Sequence, residues 1–473
     1  MKVLLINPPL DNLLSAGIPS LVGKRGFFPA MGILYIASYC SDNSDHQIEV
    51  IDASLEGLTY RQLAERVRGA QPDLVGITCL TFTLIDSLKT AEMVKSISPE
   101  ILVVLGGIHV TLFPEESIQP DCVDFAIKGE GEITFTRLLD KLENRKSLRE
   151  IPGIIFKDGN KIIDTGIPSP IEDLNDLPFP KRNLTPYHKF KSYENDTAAT
   201  TMISSRGCPF NCLFCFRPYY DKKLRFRSAE NIISEIEKCL ELGIGEIHFY
   251  DDTFTIDRDR VLELCEMIKV KNLNFRWSVM TKVDLVDPKL LMTMKESGCY
   301  RIRYGVESGS NEILKILRKG ITVNQAQEAF RISREAGIST VAYFVLGSPT
   351  ETEDQIKSTL KLAKDLKADF TNFSIITMYP GTDLYRLAFE KKILTRDVWR
   401  EFSSNPVQDF IPPFWEEYFS REQLIKFQSK AYKTVYLNSV FIKKKLKRFK
   451  NFRSFVEMFH LGAKMVKYWL KAG

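Results

Sequence analysis

Twice along this chain, short runs of Val, Ile and Leu alternate with stretches of helical periodicity, and no other feature limits the fold as tightly. In the first tract the apolar runs are residues 3–7, 48–52, 74–78, 101–105 and 125–128, with helical patterns at 32–40, 59–69 and 84–96. Short apolar runs rich in Val and Ile fit strands covered on both faces. Strands alternating with helices of this length predict a parallel, doubly wound, Rossmann-like sheet. The second tract predicts strands at 200–205, 246–250, 275–280, 300–306, 339–346 and 371–378, and helices at 229–242, 258–269, 324–336 and 353–366. Six β/α units in succession predict a partial (β/α)6 barrel of the TIM type. Between the tracts lie Pro152, Pro168, Pro170, Pro178, Pro180 and Pro186 and a hairpin signal at Lys157-Asp158-Gly159-Asn160, the marks of a connector. The expected domains are therefore 1–145, a connector at 146–195, the barrel at 196–390 and a helical, basic C-terminal region at 391–473.

Both architectures collect ligands beyond the carboxyl ends of their strands. In the first tract those ends are Asn7-Pro8-Pro9, Asp52-Ala53-Ser54, Thr78-Cys79-Leu80, Gly106-Gly107-Ile108-His109 and Gly129-Glu130-Gly131-Glu132. In the second they include Tyr250-Asp251-Asp252-Thr253, Gly305-Val306-Glu307-Ser308, Gly347-Ser348-Pro349-Thr350 and Met378-Tyr379-Pro380-Gly381. Composition removes other classes. At 44% apolar and 26% charged the chain is neither disordered nor fibrous. No uninterrupted apolar run reaches the ~18 residues that a spanning helix needs. The start, Met1-Lys2-Val3-Leu4-Leu5-Ile6-Asn7-Pro8, reads as a first strand and not a signal peptide. Nine Cys, odd in number and sparse, suit the reduced thiols of a cytoplasm.

Three of those Cys stand together in Arg206-Gly207-Cys208-Pro209-Phe210-Asn211-Cys212-Leu213-Phe214-Cys215, directly after the first barrel strand. Three thiolates at Cys-x-x-x-Cys-x-x-Cys spacing suit a soft metal or an iron–sulfur cluster. A structural zinc site needs a fourth ligand, and no Cys or His follows at zinc-ribbon spacing. With this spacing and an aromatic, Phe214, before the last Cys, the chain resembles the radical S-adenosylmethionine superfamily. The resemblance implies a [4Fe–4S] cluster on Cys208, Cys212 and Cys215, with S-adenosylmethionine on the fourth iron and its reductive cleavage to a 5′-deoxyadenosyl radical. It implies a contact to the methionine amino group from Asp251 or Asp252, where many members carry Gly-Gly-Glu. It also implies ribose or methionine contacts around Gly305, Glu307 and Ser308, with Glu307 chosen, and backbone contacts to the adenine near Gly347.

The first tract resembles the cobalamin-binding domain that precedes the barrel in one large subclass, the group holding the anaerobic magnesium-protoporphyrin monomethyl ester cyclase and hopanoid-modifying enzymes. There Gly106 and Gly107 would let backbone approach the corrin. Thr78, with Leu80 close by, would lie near the nucleotide tail, and Gly129-Glu130 is a frequent companion. Asn7, Pro8, Asp52 and His109 complete the expected cofactor edge. Where such domains supply a cobalt ligand through Asp-x-His-x-x-Gly, this chain has Asp52-Ala53-Ser54-Leu55-Glu56-Gly57. Ser54 is no cobalt ligand, so cobalamin is expected base-off, and His109 is expected either as a hydrogen-bonded structural residue or near the corrin. A dinucleotide fingerprint is missing after the first strand. A second cluster on Cys40, Cys79 and Cys122, as in methylthiotransferases, lacks a Cys near the end of that strand.

The expectation is a cobalamin-dependent radical enzyme that methylates an unactivated carbon of a small-molecule or lipid substrate. Its electrons would come from an external donor such as flavodoxin or ferredoxin. The alternatives are an oxidative cyclase of a macrocycle or lipid and, behind it, a methylthiotransferase or a non-catalytic cobalamin sensor. The net charge of +5 divides into −4 over residues 1–442 and +9 over 443–473. Lys and Arg interleaved with Phe449, Phe452, Phe455, Tyr468 and Trp469 suit a helix on an anionic membrane face or lipid, or a solvated face packed on the barrel; nucleic acid is not the expected partner.

Overall fold

The computed structural model describes residues 1–14, 29–192, 197–218 and 223–437. The basic segment 443–473 lies outside the described residues. The first sheet contains β1 (Lys2–Asn7), β2 (Gln47–Asp52), β3 (Leu74–Thr78), β4 (Leu102–Gly106), β5 (Phe125–Ile127), β6 (Ile154–Asp158) and β7 (Lys161–Asp164), in the spatial order β2-β1-β3-β4-β5-β6-β7. β1 to β5 are parallel. Strand alternation explains why both faces are covered. Val3 and Leu5 point to one side with Leu34, Phe135 and Leu138 from helices Met31–Asn43 and Gly131–Glu143. Leu4 and Ile6 point to the other, with Leu63, Val67 and Val94 from helices Tyr60–Ala70 and Leu84–Ile97. Strand order reverses between β1 and β3, the switch point where such sheets open a crevice.

The Pro-rich stretch does more than connect. β6 and β7 form the expected hairpin, and β6 pairs antiparallel with β5, so the hairpin widens the first sheet.

The second sheet runs β8 (Ala198–Met202), β11 (Ile244–Phe249), β12 (Arg276–Thr281), β13 (Cys299–Glu307), β14 (Ser339–Leu346) and β15 (Phe370–Ile375), all parallel and in chain order. Between β8 and β11 fall two short strands, β9 (Ser205–Arg206) and β10 (Arg225–Phe226), paired with each other. This is a partial barrel. Ile247, Phe249, Trp277, Val279, Ile302, Tyr304 and Phe344 pack outward against Ile236, Leu264, Leu290 and Phe330 of the covering helices. Alternate residues meet one another instead: His248 Nδ1 lies 2.7 Å from Ser278 Oγ, to which Arg303 Nη1 donates at 3.0 Å. The edge strand β15 is covered by helix Arg421–Tyr436, whose Tyr432 and Tyr436 hydroxyls accept from the N–H groups of Phe373 (3.2 Å) and Thr371 (2.8 Å). That answers the open-edge problem without another strand. Helix Val398–Ser404 crosses back to the first domain, with Arg400 paired to Glu116 and Trp399 edge-on to Phe82. Among the described residues no helix is long and apolar enough to cross a membrane.

Candidate functional site

The cysteine loop leaves from a tightly held root. Asp251, at the end of β11, is buried and accepts from the N–H of Ser204 (2.7 Å), the N–H of Ser205 (3.2 Å) and the Ser204 hydroxyl, with Arg260 at 3.8 Å. Burial raises its pKa against the pull of Arg260. Its oxygens are spent on orienting the loop's entry. The neighbouring Asp252 is exposed and faces a cavity. Leu213, between the second and third Cys, is 2% exposed and is stapled through its backbone to Leu317 (2.9 Å) and Leu384 (2.9 Å). Phe214 packs beside it. Cys208, Cys212 and Cys215 are close enough that the first two help raise the third, whose thiol is pushed up to about 11, chiefly by burial. Among the described residues no three Cys, His, Asp or Glu side chains already stand in metal-binding geometry, those around Cys40, Cys79 and Cys122 included. Three thiols on one anchored loop, Cys208 and Cys212 half-buried and Cys215 exposed, are still the donor chemistry that an iron–sulfur cluster takes.

Glu307 ends β13 with a positive φ of 66° and pairs with Lys319 Nζ at 2.7 Å, both side chains nearly buried. Gly305 makes room for that pair: a Cβ there would lie 2.4 Å from Glu307 Oε1 and 2.7 Å from Lys319 Nζ. Lys319 also acts on Cys212, easing a thiol that burial holds up. Lys282, whose Nζ stands 3.7 Å from the centroid of Phe210 within the Cys loop, adds a second cation. The sequence pattern did not point to either lysine; Lys319 lies in the turn after helix Asn311–Ile316, between Arg318 at φ 53° and Gly320 at φ 68°. Ser308 is fully buried and bonded to Thr359 and Ser310. Gly347 N–H and Ser348 N–H donate to Glu351 Oε2 at 2.7 and 3.0 Å. Burial pushes Glu351 up to about 7.

At the first sheet's edge, Asn7 Nδ2 donates to Asp52 Oδ1 (2.8 Å), which also caps the short helix containing Ser54 by accepting from Leu55 N–H (3.0 Å). Pro8 is buried beyond β1. The double glycine divides its labour. A Cβ on Gly107 (φ 118°) would meet the Cys79 carbonyl at 2.6 Å, so its bareness serves the neighbouring strand; at Gly106 a Cβ would meet nothing within 4 Å. His109 is buried, its Nδ1 3.2 Å from Thr81 Oγ1 and its ring beside Phe113, and burial lowers its pKa to about 4. It does not line the cavity. Leu80 is 47% exposed just past Thr78. Gly129 donates its N–H to Thr111 Oγ1 at 3.0 Å. Glu130 accepts from Arg206, Arg225 and the N–H of Ile171.

One cavity of about 360 Å³ joins the two edges. Thr78, Gly106, Gly107, Gly129 and Glu130 line it from the first domain, and Arg206, Gly207, Tyr250 and Asp252 from the second. Its floor is Leu5, Ile36, Val104 and Phe135, with Gly32 and Gly76 leaving space between them. An apolar, glycine-walled slot beneath a polar rim fits a flat aromatic group with a polar remainder, as cobalamin presents.

Residues 202–363 match the radical SAM superfamily, and residues 24–139 match the B12 binding domain. An uncharacterized methyltransferase of Pyrococcus horikoshii is 34% identical over 441 residues, 92% of this chain and 93% of its own. The anaerobic magnesium-protoporphyrin IX monomethyl ester cyclase of Rubrivivax gelatinosus is 28% identical over 82% of this chain and 70% of its own. Among solved structures, the cobalamin-dependent S-adenosylmethionine radical enzyme OxsB with aqua-cobalamin bound shares the fold, at a TM-score of 0.76 and 17% identity, over 100% of this chain and 71% of that one.

Proposed function

The chain belongs to the cobalamin-dependent radical S-adenosylmethionine enzymes, and from that premise we propose that it methylates an unactivated carbon of a small-molecule or lipid substrate. Its cofactors are a [4Fe–4S] cluster, S-adenosylmethionine and cobalamin. When bound, they supply reductive cleavage of the sulfonium to an adenosyl radical and a carrier for the methyl group. The chain supplies position. Cys208, Cys212 and Cys215 hold the cluster. Asp252, whose carboxylate faces the cavity while Asp251 is consumed below it, receives the methionine amino group. Lys319 receives the carboxylate, and Glu307 the ribose. The backbone at Gly347 meets the adenine, and Thr78, Gly106 and Gly129 form the cobalamin cradle. The observation that carries this reading is the shared cavity, into which Gly106 and Gly129 open from one side and Gly207 and Asp252 from the other. Two cofactor loops facing one space can act in turn on one carbon.

Flavodoxin or ferredoxin is the proposed electron donor. The basic segment 443–473 is proposed to meet an anionic membrane face or lipid; salt-insensitive liposome co-sedimentation, or none, contradicts it. Similarity to the cyclase favours oxidative ring formation as the second reading. S-Adenosylmethionine carrying a deuterated methyl group, added with reductant and cellular extract to reconstituted enzyme, separates the readings by mass spectrometry. Label in a product supports methylation, and 5′-deoxyadenosine without labelled product supports cyclisation. Absence of 5′-deoxyadenosine refutes both.

A further inference from the structure

The acid expected at the cofactor edge, Glu130, lines the cavity but spends its carboxylate on protein donors. Its carboxylate accepts from Arg206 Nη1 at 2.8 Å, Arg225 Nη1 at 2.8 Å and the Ile171 N–H at 2.7 Å. Glu132 takes the other arm of Arg206, accepting from Nη2 at 2.6 Å. Arg225 closes the group by donating to the Ile171 carbonyl at 2.6 Å. The side chains of Glu130, Glu132, Arg206 and Arg225 are 7, 5, 15 and 2% exposed, and their charges cancel. Arg225 and Arg206 outweigh the burial penalty and hold Glu130 below the usual carboxylate range.

Placement gives this group its meaning. Arg206 and Arg225 face each other across the β9–β10 pair, so they stand at the two feet of the segment that carries Cys208, Cys212 and Cys215. Glu130 stands between Gly129 and Gly131, both in the cavity wall that faces the cysteine loop. Gly129, Gly131 and Gly207 offer no side chain to pack at this end of the junction; apolar packing joins the two domains on the other side of the cysteine loop, where Leu213 meets Leu84 and Phe113. A guanidinium fork on two carboxylates fixes direction as well as distance.

We propose that Glu130, Glu132, Arg206 and Arg225 form a positioning clasp that sets the separation between the cluster loop and the cobalamin cradle. The proposal rests on both cofactors binding as described above. None of the four residues is a ligand; they act through the loops they join. Radical formation at one loop and methyl delivery from the other must reach the same carbon, and the clasp is the buried ionic link that joins these two loops directly.

The test uses the holoenzyme loaded with both cofactors and reduced, so that cob(II)alamin and the [4Fe–4S] cluster are both paramagnetic. Pulsed electron paramagnetic resonance then reads the spin–spin interaction between them. Arg206→Lys keeps the charge but cannot reach both carboxylates with one ammonium. Glu130→Gln keeps the shape and removes the charge. In each variant iron and cobalamin contents stay at wild-type level, while the distance distribution widens at least about twofold from the ~0.5 Å tolerance of a preorganised site. A distribution as narrow as wild type in a variant that retains both cofactors overturns the proposal. If Glu130→Gln does not fold, Arg206→Lys decides between the same two outcomes. A wild-type protein that fails to retain cluster or cobalamin refutes the cofactor reading itself, which composition alone reveals.

Discussion

Lys319→Met separates what the Glu307–Lys319 pair does for the fold from what the ammonium does for a ligand. Nζ lies 2.7 Å from Glu307 Oε1, and the two side chains are 11 and 8% exposed. Removing one member of a buried pair leaves the other charge stranded, at a cost of about 3–5 kcal/mol. The double variant Glu307→Gln/Lys319→Met strands nothing, because neutral groups of similar volume replace both charges, and most of that loss returns. Ligand binding behaves otherwise. A charge-assisted hydrogen bond to the methionine carboxylate contributes about 1.5–3 kcal/mol, or roughly 10–150-fold in affinity. The double variant therefore recovers stability but not S-adenosylmethionine binding. Urea midpoints and equilibrium dialysis of labelled S-adenosylmethionine against anaerobically reconstituted protein measure the two effects side by side. Binding within about twofold of wild type, a difference of only ~0.4 kcal/mol, refutes the role given to Lys319.

The two adjacent glycines of the first domain are expected to part company. Gly106→Val folds but no longer retains cobalamin through gel filtration, whereas Gly107→Val, driven onto the Cys79 carbonyl at a positive φ, does not accumulate as folded protein. Cob(II)alamin bound to the protein should show no splitting from an axial nitrogen, and His109→Ala should leave its resonance spectrum unchanged; nitrogen splitting lost in that variant restores His109 as a ligand. Glu351 binds its proton more tightly folded, at about 7, than at its ordinary 4.5. The stability this gives is present below pH 4.5 and is lost as pH rises toward 7, about 3 kcal/mol in all. Glu351→Gln flattens that slope in urea titrations across the interval, and an unchanged slope assigns it to another group.

β1, β3 and β4 were legible because they are apolar on both alternations, which marks burial on two faces. Barrel strands such as β13 and β15 showed one apolar alternation, the other carrying groups such as Arg303 and Asn372. The helices followed from their stripes and caps: helix Val323–Glu335 begins at a Thr322–Gln325 capping box written plainly in the chain. Less was visible where partners lie far apart in sequence. Lys157–Asn160 announced a hairpin, yet nothing local says that β6 joins β5. β9 and β10 are two residues each and carry no pattern at all. The cover on β15 comes from hydroxyls of Tyr432 and Tyr436, about sixty residues onward.

The site divides along the same line. Spacing exposes cysteines because their ligand chemistry is local, but an acid at a strand end has two competing claimants. Loop N–H groups and arginines recruit it as readily as a cofactor does, and they arrive from other elements: Ser204 reaches Asp251 across 47 residues, and Arg225 reaches Glu130 across 95. Asp251 and Asp252 make the competition explicit. Asp251 enters the packed root of the loop, and Asp252 lines the cavity. The strand end, with Phe249 packed outward against Trp277, delivers the loop to that junction, and Ser204 then claims Asp251. Among the described residues no donor hydrogen-bonds Asp252, which is why the proposed amino-group contact falls to it, whereas Asp52, Glu130 and Asp251 already accept from protein donors.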